Sequence, residues 1–274
     1  MRYALALEYD GGPFCGFQSQ PSACAVQDVL ERALAAIAAA PVRVAAAGRT
    51  DAGVHATSQI VHFDTEAQRP VMAWVRGVNA HLPAAAAVLW CQEVADRFHA
   101  RFAATGRHYT YLLLNRPQRP GLAAGRVGWH HAPLDADAMR RAAQRLLGTH
   151  DFSSFRAAEC QARTPVKTLR HLDVTRLEIA RDVALLRFDL SADAFLHHMV
   201  RNIVGALVEV GTGRREPAWI DELLAAADRR RGAPTFSAAG LYFTGADYDA
   251  GFGLPATRRG MGTDVATDVA TSAG

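Results

Sequence analysis

The apolar positions along the chain change period in a regular way. Tyr3, Leu5, Leu7 and Tyr9 alternate as a strand does, while Val26, Val29, Leu30, Ala33, Leu34 and Ile37 fall at helical spacing. Short strand-like runs follow at 42–46 and 58–64. Val71, Trp74, Val75 and Val78 predict a second helix, and 88–94 reads as a further strand. After residue 105 the same order returns, with a strand at 107–114, a helix at 135–147, strands at 168–177 and 182–190, a helix at 195–210 and a strand at 239–244. Each half therefore reads βαββαβ, the split βαβ or ferredoxin-like order, in which helices cover one face of an antiparallel sheet. The expected fold class is α+β: two similar halves forming an extended, mostly antiparallel sheet with helices on one side. The expected organisation is an N-terminal half over 1–105, a C-terminal half over 106–250, and a flexible tail over 251–274, where Gly, Thr, Ala and Ser replace the apolar pattern.

Composition narrows the class without naming a function. At 274 residues, 50% hydrophobic and 21% charged, the chain has the make-up of an ordinary globular protein. The first residues hold only the short apolar run ALAL before Glu8, too little for a signal-peptide core, and no stretch approaches the ~18 apolar residues of a membrane span, so a cytoplasmic protein is expected. Cys15, Cys24, Cys91 and Cys160 form no CxxC pair and are expected to be reduced thiols. Lys167 is the sole lysine, so 29 of the 30 basic residues (30 minus 1) are arginine. Arginine's planar fork suits phosphate contacts and stacking on RNA bases, and a GC-rich genome would give the same bias.

Asp51, in the stretch AGRTDAGVHA, is the first candidate for chemistry. It falls in the connection between the second and third strands, where a rigid scaffold can present a side chain. Asp-Ala-Gly is equally a turn sequence, with glycine taking positive φ. Arg49 could pair with a phosphate or with Asp51 itself. His197 and His198 are adjacent, and on a helix they would point about 100° apart, which rules out the chelation an i, i+4 pair achieves. HExxH, Walker and GxSxG signatures are absent, so neither a metal nor a nucleotide cofactor is expected.

Six segments together carry a family likeness. YDGGPFCGFQSQ (9–20), AGRTDAGVHA (47–56), FHARFAATGRHYTY (98–111), DFSSFRA (151–157), AFLHHMVRNIVG (194–205) and AGLYF (239–243), in this order and at these separations, resemble the tRNA pseudouridine synthase A family over about residues 2 to 248. The resemblance implies a cofactor-free isomerase that converts uridine to pseudouridine at positions 38, 39 and 40 of the tRNA anticodon arm, and a homodimer. It assigns the essential catalytic role to Asp51. Arg201 matches the arginine that pairs with the aspartate, Tyr109 the tyrosine that stacks on the everted uracil, and Leu241 the aliphatic residue beneath the base. Arg49 is placed to brace the space the everted base leaves. Phe17 stands where many relatives carry tryptophan, which keeps an aromatic ring and removes an indole N–H.

Two other classes compete on the residues alone. An RNA-binding protein without catalysis would hold tRNA on the same surface and use DAGVH as a turn only. An aspartate-dependent phosphodiesterase would need metal ligands that the sequence does not offer.

Overall fold

The computed structural model describes residues 1–160 and 162–258. In chain order the elements are β1 (Arg2–Tyr9), α1 (Val26–Ala38), β2 (Val44–Ala46), β3 (His55–Asp64), a π-helical turn (Ala73–Gly77) running into α2 (Val78–His81), and β4 (Ala86–Val94). There follow β5 (Gly106–Asn115), β6 (Gly128–His130), α3 (Ala136–Gln144), β7 (Gly148–Asp151), β8 (Val166–Ala180), β9 (Val183–Ala192), α4 (Met199–Gly211), α5 (Trp219–Ala226) and β10 (Leu241–Asp247). The fold is mixed α+β with mostly antiparallel strands and few helices, as the periodicity predicts. Contacts group the described residues into two compact units, one of Met1–Arg107 with Tyr242 onward, the other of His108–Leu241.

In the first unit β1 lies between β3 and β4, antiparallel to both, and β2 pairs antiparallel with β3. The order β4-β1-β3-β2 is that of a split βαβ unit. β10 joins β3 in parallel at the other end of that strand, through Tyr242↔His55 and Phe243↔Ala56. As the central strand, β1 is buried at Ala4 and Ala6 as completely as at Leu5 and Leu7. Tyr3 stacks on Phe63 at 5.5 Å, and Trp74 closes over both rings from the π turn. α1 begins where the Asp28 carboxylate accepts the Ala25 amide at 2.9 Å, one half of a capping box. It ends at Ala39, which turns left-handed at φ 56.

The loop from β1 to α1 corrects one expectation. Cys15 and Cys24 form a disulfide, so two of the four cysteines are not thiols; Cys91 and Cys160 are free. The loop doubles back so that the Cys15 amide donates to the Cys24 carbonyl at 3.1 Å, and the Cα atoms come to 5.5 Å, inside the range a disulfide spans. Past β10, the Thr257 carbonyl accepts the Ser58 hydroxyl, and Gly245 bridges to Arg258. The rest of the expected tail, from residue 259, lies outside the described residues.

In the second unit β9 lies between β5 and β8, and β7 pairs antiparallel with β8. β6 adds to β5 in parallel. α3 starts at Asp135, whose side chain accepts the Ala138 amide at 2.9 Å, and packs on α4 and β8. It stops at Gln144 instead of reaching 147, because Gly148 at φ 101 redirects the chain into β7. α4 begins at Met199, four residues later than the spacing predicts: His198 is left-handed at φ 61, and the Ala157 amide takes the His197 carbonyl. His197 and His198 thus precede the helix, and the helical argument about their directions does not apply. Among the described residues no helix is long and apolar enough to cross a membrane.

Candidate active site

Asp51 sits half-buried between β2 and β3, with Arg49 exposed and Thr50 buried beside it. The connection has this shape because the Ala47 amide continues the sheet pairing by donating to the Ile60 carbonyl at 2.8 Å, after which the chain leaves the sheet. It returns through a tight turn in which the Val54 amide donates to the Asp51 carbonyl at 3.1 Å and Gly53 takes φ 76. The Asp-Ala-Gly turn is therefore real, and the backbone of Asp51 closes it.

Several contacts within the first unit hold this loop. The Phe17 amide donates to the Thr50 carbonyl at 2.9 Å. That approach needs glycine at position 16: its φ is 98, and a Cβ there would lie 2.8 Å from the Thr50 carbonyl oxygen. The Tyr9 and Thr50 hydroxyls share a buried hydrogen bond of 2.8 Å. Gln59, fully buried on β3, donates through Nε2 to the Gly48 carbonyl at 2.8 Å and, more weakly, to the Tyr9 hydroxyl at 3.4 Å. On the far side of the turn the Gly11 amide donates to Nδ1 of His55 at 3.0 Å, and the His55 ring stacks on Tyr242 at 4.7 Å. Burial pushes the Tyr9 hydroxyl up to about 12, outweighing the hydrogen bonds from Thr50 and Gln59, so it stays protonated at neutral pH. The sequence reading did not single out Tyr9, Thr50 or Gln59. The available signal was Gln59, a polar residue at the head of the strand-like run QIVHF.

The remaining candidates fall in the second unit. Tyr109, on β5, is buried with its ring edge-to-face against Phe195 at 5.0 Å. Arg201 lies in the first turn of α4, where its Nε donates to the Phe236 carbonyl at 2.8 Å and its own carbonyl accepts the Phe236 amide at 3.3 Å. The segment after Phe236 is pressed onto β5. Tyr111 donates to the Ser237 carbonyl at 2.9 Å, the Leu112 amide donates to the Gly240 carbonyl at 2.8 Å, and a Cβ on Gly240 would come within 2.3 Å of the Leu112 oxygen. Leu241, buried, follows directly. The second unit thus ties Arg201, the strand of Tyr109 and the start of β10 into one connected region. Asp51 and Arg49 share a loop of the first.

This arrangement of motifs coincides with a known family. The family model described as tRNA pseudouridine synthase matches residues 5–103 and 142–249. The chain belongs to the tRNA pseudouridine synthase family. It is 62% identical over 255 residues to a tRNA pseudouridine synthase A of Thiobacillus denitrificans, covering 93% of this chain and 96% of the relative. It is 58% identical over 255 residues to that of Dechloromonas aromatica, with 93% and 95% covered, and 56% identical over 266 residues to that of Methylobacillus flagellatus, with 97% and 100% covered. Family membership makes the chain an isomerase of the class that converts tRNA uridine to pseudouridine, and its α+β architecture is the pseudouridine synthase fold.

Proposed function

We propose that the chain acts at uridines 38, 39 and 40 of the tRNA anticodon arm, with Asp51 as the catalytic carboxylate. The isomerisation breaks the N1–C1′ bond, turns the uracil, and joins C5 to C1′; the C5 proton leaves and N1 gains one, so nothing is oxidised or reduced. An ionised carboxylate beside the ribose can serve as a nucleophile at C1′ or as a base at C2′. The observation that supports Asp51 in either role is the way its loop is clamped, because a carboxylate that must meet one carbon atom benefits from a preset direction. An everted uridine costs a few kcal/mol of stacking. In this reading Arg49 braces the vacated space, Tyr109 stacks on the uracil, Leu241 closes the pocket beneath it, and Arg201 supplies the cation for the carboxylate.

The same reading includes a cytoplasmic homodimer that binds tRNA and uses neither a metal nor a nucleotide cofactor. The experiment is pseudouridine mapping by carbodiimide reactivity on tRNA from cells with and without this protein. Loss confined to positions 38, 39 and 40 is expected. Loss at another part of the tRNA would overturn the site assignment.

A further inference from the structure

Beneath the Asp51 loop lies a polar cluster that none of the steps above uses. Tyr9, Thr50 and Gln59 are all buried, and they join β1, the loop and β3 through the Tyr9–Thr50 bond of 2.8 Å and the Gln59–Gly48 bond of 2.8 Å. Stability alone does not call for such a cluster. Hydroxyl and amide groups cost free energy to bury and return it only when paired, and apolar residues of the same shape would serve a core as well. What the paired groups add is a single geometry, and Gln59 Oε1, buried with no hydrogen-bond partner among the described residues, shows that this glutamine is not there for stability.

The backbone is also adapted to deliver it. β1 and β3 pair in regular register from Arg2↔Asp64 to Leu7↔Gln59, and then slip by one, so that Tyr9 faces Ala56. A bulge of this kind re-aims the side chain that follows it. Here the side chain is Tyr9, and its target is the residue before Asp51. Thr50 is then fixed at both ends, its carbonyl by the Phe17 amide and its hydroxyl by Tyr9, with little freedom left in its β-branched side chain.

We propose that Tyr9 and Gln59 are positioning residues for Asp51, acting through Thr50 and Gly48 to set the direction of the carboxylate before tRNA arrives. The proposal rests on the reading of Asp51 as the catalytic group. Tyr9 reaches the loop through the Thr50 hydroxyl, so its part is to orient the loop.

The test measures kcat and tRNA affinity in Tyr9→Phe, Gln59→Leu, Thr50→Val, Thr50→Ser and the Tyr9→Phe/Thr50→Val double variant, beside Asp51→Asn. Tyr9→Phe, Gln59→Leu and Thr50→Val should each lower kcat about 10- to 100-fold, the cost of a catalytic group displaced by roughly an ångström, with tRNA affinity unchanged. The double variant should fall no further than the worse single one, because both changes remove the same bond. Thr50→Ser, which keeps the hydroxyl, should recover most of what Thr50→Val loses. The ratio of wild-type to Tyr9→Phe turnover should stay flat from about pH 6 to about pH 9, since the hydroxyl removed does not titrate in that range. Circular dichroism confirms folding, and if Tyr9→Phe is poorly folded the Thr50→Val and Thr50→Ser pair makes the same comparison from the other side of the bond. Wild-type kcat in Tyr9→Phe, additive losses in the double variant, or a loss confined to affinity would overturn the proposal while an inactive Asp51→Asn leaves the reading of Asp51 standing. An active Asp51→Asn would overturn that reading and this one with it.

Discussion

Two adjacent glycines in the YDGG segment should respond very differently to the same substitution. A Cβ on Gly11 would lie 2.0 Å from the carbonyl oxygen of Val54, 2.5 Å from its carbon and 2.9 Å from its nitrogen. All three are backbone atoms of the turn that carries Asp51. Ordinary carbon–oxygen contact begins near about 3.4 Å, so Gly11→Ala must push the two segments apart by roughly 1.4 Å (3.4 minus 2.0). Overpacking costs about 1–3 kcal/mol, and the upper end applies because no flexible side chain can yield. For a chain of this size that is a fall in Tm of about 5 °C by circular dichroism. The same displacement, passed through Val54 to Asp51, should lower kcat about 100-fold. Gly12 is the control: its Cβ would meet only the end of the Asp10 side chain, at 3.1 Å, and Gly12→Ala should stay within about 0.5 kcal/mol of wild type. If the two variants matched in both Tm and kcat, the close approach of Gly11 to Val54 would have no part in holding the loop.

Reducing the Cys15–Cys24 disulfide, which closes a loop with a sequence separation of 9, should cost about 2.5 kcal/mol in the chain-entropy account, read as a lower Tm in reductant; an unchanged Tm would mean that the backbone bonds of the loop suffice. His62 is held down to about 4, from 6.5, first by burial and then by the charges of His99 and Arg2, while its Nδ1 accepts the Ala100 amide at 3.2 Å. Below 6.5 the unfolded chain takes up a proton that the folded one refuses until about 4, so this contribution is full above 6.5 and lost as pH falls toward 4. Urea midpoints at about pH 7 and about pH 4.5 should therefore differ more in wild type than in His62→Gln, and equal differences would contradict the assignment.

Much of the first unit was legible because its elements are long and periodic. β1, α1, β3 and β4 appear within a few residues of where alternation and helical spacing put them. β6 and β7 were not legible, since segments as short and polar as Gly128–His130 and Gly148–Asp151 owe their strand form to the neighbours they pair with. The start of α4 was misplaced because the apolar spacing of Phe195, Leu196, Met199 and Val200 continues through a left-handed His198 that sterics alone mark as a break. At the site, the turn around Asp51 could be read from Asp-Ala-Gly. Its clamp could not, because Tyr9, Thr50 and Gln59 meet through a register slip that no local pattern announces. The disulfide escaped for a related reason: the chain reversal that joins Cys15 to Cys24 is set by the packing of the loop and not by cysteine spacing.

The central claim is that Asp51 performs the isomerisation, and the direct measurement is turnover of tRNA by purified Asp51→Asn beside wild type. Wild type should yield a product of unchanged mass that reacts with carbodiimide. Asp51→Asn should yield none while binding tRNA as tightly, because phosphate contacts dominate such affinity and this carboxylate adds nothing to them. Pseudouridine formed by the Asn variant above background would contradict the account.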